Sequence, residues 1–264
     1  MHHRVGVIYH VTPVQKMISY GLGPLLIIGV IGLLTYLFPL LAPSGTPVSL
    51  DAIILAAFAT CMRLAIAYTL SMLVAIPLAI FVTLNPTIEA FFLPIFDVLQ
   101  SVPILVLFPV LIVLFVSSGW LNAAAIAVLF LTMLWTIVFT LVGGIHMIPR
   151  DIIYAARIFG LSGFAYVRRL LLPAIVPQMV TGTILAFAQG WNIIIVAEVL
   201  HTYIPNGTST QDVFGIGAIL VEASANAQNE VFLLAVIVMI VIIAFLNFFI
   251  WQNLLIYAHR FRFE

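Results

Sequence analysis

Arg63 and Glu198 each stand inside a long apolar stretch, at 60–84 and 174–198. An ionised side chain among apolar residues is costly in a membrane and usually faces a bundle interior, a cavity or a partner charge. At 1.5 Å per helical residue, Arg63 lies about 32 Å from Leu84 and Glu198 about 36 Å from Ala174, a similar depth. An ion pair, a direct contact of Arg63 with a translocating anion, and snorkelling of Arg63 to the interface all fit that placement. Gln189, Trp191 and Asn192 lie deeper in the same stretch as Glu198. They can hydrogen-bond a passing anion through weak, shared contacts, or hold neighbouring helices together. Catalytic constellations are absent. No H-E-x-x-H, no G-x-S-x-G and no G-x-x-x-x-G-K-[ST] occurs, and His2, His3, His10, His146, His201 and His259 lack ligand spacing beyond the terminal pair. The single cysteine, Cys61, permits no internal disulfide. The sequence therefore predicts no enzyme, no metal and no cofactor held by this chain.

The elements that must position these residues are membrane helices. Of 264 residues, 64% are hydrophobic and 7% charged, and the mean hydropathy is +1.28. Soluble domains carry roughly 25% charged residues, so a soluble enzyme, a nucleic-acid binder and a disordered tail are poor readings. Nine basic and nine acidic residues cancel, leaving no global field for polyanions. At ~20 residues per crossing, the apolar stretches 22–42, 60–84, 88–116, 120–143, 174–198 and 231–257 predict an all-α polytopic protein of about six spans. Residues 50–59 read as an interfacial helix or an extension of the second span. The third stretch reads as a short helix leading into a span kinked near Pro103. With six spans, Arg4, Lys16, Arg150, Arg157, Arg168, Arg169, Arg260 and Arg262 all fall on one side. The bias of Lys and Arg toward the cytoplasm then places both termini and the loop 146–173 there.

That loop is the one sizeable polar segment. Asp151 is placed to cap a helix over 152–159, with Ile152, Ala155, Ala156 and Phe159 on one face. Gly160 suits the left-handed position that ends such a helix. Ser162-Gly163 opens a second helix carrying Arg168 and Arg169, and Pro173 and Pro177 mark the first turn of the fifth span. Small residues let another protein approach the backbone closely, so the Ala155-Ala156 face reads as a docking knob.

Tyr154-Ala155-Ala156, Gly160 and Leu170-Leu171-Leu172-Pro173 resemble the cytoplasmic-loop motif of type I ABC importer permeases. That motif reads Glu-Ala-Ala, three residues, Gly, nine residues, then Ile-x-Leu-Pro. Tyr154 replaces the acid and Leu170 the isoleucine, while the spacing is kept. Arg63, the segment from Gln100 to Pro109, Trp191 through Glu198, and Gly215-Ile216-Gly217 with Glu222-Ala223 are most similar to the nitrate, sulfonate, taurine and bicarbonate branch. The resemblance implies the type I permease fold, with an N-terminal tail at 1–21, a first span and outer loop at 22–55, the transmembrane domain at 56–251 and a C-terminal tail at 252–264. It also implies a bacterial inner-membrane location and passage of a small anion. The implied partners are a cytosolic ATPase dimer that uses the ATP, a second permease subunit that is identical or homologous, an extracytoplasmic solute-binding protein and membrane lipid, but no nucleic acid. Tyr154, Ala155, Ala156, Gly160, Leu170, Leu172 and Pro173 are then the coupling residues. Arg63, Gln189, Trp191, Asn192 and Glu198 are the intramembrane polar set. A secondary transporter driven by an ion gradient is the alternative, and would require inverted repeats around midplane charges.

Overall fold

A computed structural model describes residues 49–111, 119–204 and 212–261, with isolated positions at 29, 32, 114, 115 and 207. The predicted span 22–42 lies outside the described residues except for positions 29 and 32. Within them the main elements are α1 (Leu50–Thr83), α2 (Pro86–Ser101), α3 (Ile104–Leu111) and α4 (Leu121–His146). There follow α5 (Arg150–Ile158), α6 (Gly163–Glu198), α7 (Ile216–Ala225) and α8 (Asn229–Ala258). Four of these, α1, α4, α6 and α8, are long and apolar enough to cross a bilayer, and α2 with α3 makes a fifth if the bent pair is one crossing. The protein is all-α and multi-pass.

Local chemistry explains the boundaries. Ser49 accepts the Ala52 N–H at 3.3 Å and starts α1, so residues 50–59 extend the second predicted span. Asn85 accepts the Thr87 N–H at 2.9 Å, and Pro86 occupies the first turn of α2, where its missing donor costs nothing. The kink expected near Pro103 is a break of 83° between α2 and α3. Proline bars the α conformation at the residue before it, and Val102 is accordingly extended (φ −69°, ψ 120°). The helix ahead of the break has 16 residues, longer than the short lead-in the sequence suggested.

Two further expectations are corrected. The second loop helix and the fifth span are one continuous helix, α6, rather than separate elements. Because Pro173 has no N–H to give Arg169, the helix widens over Val167–Leu171 and the Leu172 N–H reaches back to the Val167 carbonyl. Asp151 is not the cap of the loop helix. That helix starts two residues earlier, at Arg150 after Pro149, and Asp151 sits in its first turn, where its charge favours the helix dipole.

Between α1 and α6 runs α4, whose Leu129, Met133, Ile137 and Leu141 are fully buried. Without a hydrophobic drive between helices in lipid, close packing of small residues holds them, and α1 offers Ala67, Ala75 and Ala79, each inaccessible. At one end of the bundle Ile80, Ile148, Leu171 and Ala174 join α1, α4 and α6 beneath α5. His146 and Glu89 pair there at 2.7 Å. This is the arginine-bearing end. At the opposite end α7 and α8 pack on the start of α1 through Ile53, Ala57, Ile216, Leu220 and Ala235.

Candidate functional site

Three constellations bear on the expected site residues. The first is a junction at the end opposite the arginines. Arg63 pairs with Glu198 and also donates to the Phe214 carbonyl, while its Nε donates to Asn122 Oδ1 at 3.1 Å. Glu198 is inaccessible and further accepts Thr60 Oγ1–H at 2.6 Å and the Gly217 N–H at 2.7 Å. Thr60 Oγ1 in turn accepts the Ile216 N–H at 3.0 Å. A buried charge is tolerable when paired and fully hydrogen-bonded, and this one is. The junction ties α1, α4, α6 and the start of α7 together. Gly217 has a positional reason: a Cβ there would stand 2.9 Å from Glu198 Oε2 and 3.0 Å from Ile195 Cα. Of the three placements the sequence left open for Arg63, the structure has the ion pair.

The second constellation is a groove of about 550 Å³ between the α2–α3 break, α4 and α6. Gln100, Ser101, Thr132, Thr136, Gln189 and Asn192 line it, with Trp135 and Leu107 among its apolar walls. Gln189 and Asn192 are thus brought together, one helical turn apart. Trp191 is not with them. It faces a separate, mostly apolar cleft of about 300 Å³ beside Phe187 and Trp251, since adjacent helical positions point in different directions. The threonines were missed from sequence, although Thr132, Thr136 and Thr140 recur every four residues and so mark one face of α4.

The third is α5, hung between α4 and α6 at the arginine-bearing end. The face expected to unite Ile152, Ala155, Ala156 and Phe159 is split. Ala156 is buried, and Ile152 and Ile153 pack beneath it on Leu171 and Ala174. Ala155 and Tyr154 point outward with Ile158 and Phe159, which are 84% and 83% exposed. Gly160 has φ +71°, and the closing bonds run from its N–H to Arg157 O (3.0 Å) and from Leu161 N–H to Ala156 O (2.9 Å). This left-handed closure is natural to glycine. Leu170, in the widened stretch of α6, and Leu172 and Pro173, just after it, are half-buried and root the loop rather than lining its tip. What protrudes is therefore an apolar tip, not a stripe of small residues. Sequence periodicity alone could not tell which side of so short a helix the bundle would cover.

Residues 71–255 match the family described as binding-protein-dependent transport system inner membrane component. The chain belongs to this family. Among its relatives, the nitrate import permease protein of Leptolyngbya laminosa is 32% identical over 179 residues, 68% of this chain and 60% of the relative. The bicarbonate transport system permease protein of Synechococcus elongatus is 31% identical over 142 residues, 54% of this chain and 50% of the relative. The taurine transport system permease protein of Escherichia coli is 26% identical over 188 residues, covering 71% and 63%. This family member thus spans between half and two thirds of the length of these curated relatives.

Proposed function

We propose that this chain is the membrane-spanning, non-catalytic permease subunit of an ATP-driven importer for a small anion of the nitrate, bicarbonate or sulfonate class. The observation that carries the reading is α5: a short helix held between two spans, with Ile158 and Phe159 exposed on the same end as the arginines. Two large apolar side chains presented to water are a partner surface rather than a lipid anchor, because arginine-rich ends face the cytoplasm. On this reading both termini and the loop 146–173 are cytoplasmic, and α5 seats on the partner ATPase. Tyr154, Ala155 and Gly160 shape the docking surface, and Leu170, Leu172 and Pro173 transmit movement into α6.

ATP closure would move α5, and with it the ends of α4 and α6 that it bridges through Ile148, Leu171 and Ala174. A ligand shifts a conformational equilibrium only through states it binds differently, so a loaded binding protein outside biases the same equilibrium. Polar groups facing lipid at mid-membrane are costly. The open groove at Gln189 and Asn192 therefore needs a water-filled space, which a second permease subunit facing it would enclose. A first span at 22–42 would bring the crossings to six, and 56–251 is the transmembrane domain proper.

Co-expression with a cytosolic ATPase and an external binding protein from the same operon tests this. The expected result is co-purification and ATP-dependent uptake, with Gly160→Arg inserting normally but severing uptake from hydrolysis. Normal uptake by that variant, or uptake driven by an ion gradient without ATP, contradicts the reading.

A further inference from the structure

We infer that the groove among the α2–α3 break, α4 and α6 is an anion site without a fixed charge, and that it takes a singly charged oxyanion head group (nitrate, bicarbonate or sulfonate) on the side-chain amides of Gln100, Gln189 and Asn192. The inference rests on the transport reading and specifies the chemistry of the passage.

The hydrogen-bond inventory leads there. Among the described residues, the Gln100, Gln189 and Asn192 amides and the Thr136 hydroxyl carry no hydrogen bond to the protein, although all line one groove. Helix-to-helix bonding, the other role open to Gln189 and Asn192, is thus not what they do among the described residues. Their neighbours differ. The hydroxyls of Ser101, Thr132 and Thr140 donate to the carbonyls of Asp97, Val128 and Thr136 at 2.7, 2.8 and 2.6 Å. Those three offer only acceptor lone pairs to the groove, so the donors available to an anion are the amide N–H groups and the Thr136 O–H.

Charge is the second part. No residue lining the groove is Lys, Arg, His, Asp or Glu. Arg63, the buried basic residue of α1, is fully engaged by Glu198, Asn122 and Phe214 elsewhere. A fixed cation would bind an anion strongly at low dielectric and slow its release, whereas neutral donors give contacts weak enough to leave. The same neutrality limits the cargo. The cost of desolvating an ion rises with the square of its charge, so a dianion meets fourfold the penalty with no opposite charge to offset it.

The test uses the whole complex, with ATPase and binding protein, reconstituted in proteoliposomes and supplied in turn with labelled nitrate, bicarbonate and taurine. Uptake per ATP hydrolysed is the readout, with the assembly state of each variant taken by size-exclusion chromatography. Asn192→Asp, which keeps the shape and adds a negative charge, should lower uptake per ATP at least tenfold in an intact assembly. Asn192→Gln, which keeps the donor, should recover at least half. Wild-type uptake by Asn192→Asp would overturn the inference, as would separation of the permease pair by Asn192→Leu, since the amide would then be an interface group. If the unaltered complex moved none of the three anions, the transport reading would fall and the inference with it.

Discussion

Glu198 and Asn192 lie on the same helix, six positions apart, and are treated oppositely by the fold. Glu198 is inaccessible and bonded to Arg63, Thr60 and Gly217. Asn192 faces an open groove with no partner among the described residues. A polar group inside a membrane bundle that has found all its partners is architecture. One that keeps its donors free, where each unmet bond is costly, is held for something else. The contrast separates residues whose polar groups are spent on holding the bundle together from residues whose polar groups stand open, which residue type alone does not do.

The comparison breaks first at the junction. Glu198→Ala leaves Arg63 buried without a counter-charge and should destabilise the detergent-solubilised permease by about 3–5 kcal/mol, read as a fall in its thermal midpoint. Replacing both Arg63 and Glu198 by methionine should recover more than half of that loss. Independent, additive effects of the two single changes would count against a structural pair. Next in size is Gly217→Ala, whose Cβ would meet the backbone of Ile195 and the Glu198 carboxylate at 3.0 and 2.9 Å. Overpacking of this kind costs about 1–3 kcal/mol, and it should lower the midpoint without altering ATPase association. At the other pole, Gln189→Leu removes no internal bond and should stay within about 0.5 kcal/mol of the parent. A large loss of stability there would merge the two classes. Phe159→Asp, at a side chain 83% exposed, should likewise leave the midpoint unmoved within about 0.5 kcal/mol, while abolishing co-purification of the ATPase.

Much of this was legible in the residues. Apolar length and arginine placement carry the helices, the polarity of the two ends and the loop between α4 and α6. Similar helical rise from Leu84 and from Ala174 brought Arg63 and Glu198 to nearly one depth, and Gly160 announced the end of α5. What stayed hidden depends on rotation and on backbone groups. Helical rise sets depth but not azimuth, so Trp191 was grouped with Asn192 although the two face different clefts. The burial of Ala156 and exposure of Phe159 follow from how α5 lies on Leu171 and Ala174. The partners of the junction include the Phe214 carbonyl and the Gly217 N–H, backbone groups that side-chain identity does not announce. The α2–α3 break had its signal in Val102-Pro103, but its 83° depends on what α3 packs against.

The most direct measurement is a crosslink from the tip of α5. With Cys61 replaced by serine, Phe159→Cys becomes the sole thiol of the chain and can be labelled with a short maleimide–diazirine crosslinker, then photolysed in the assembled complex. The account predicts an adduct joining the permease to its ATPase, whose yield changes when ATP is bound. A photolysed label captured only by water or lipid, and never by the ATPase, would contradict it.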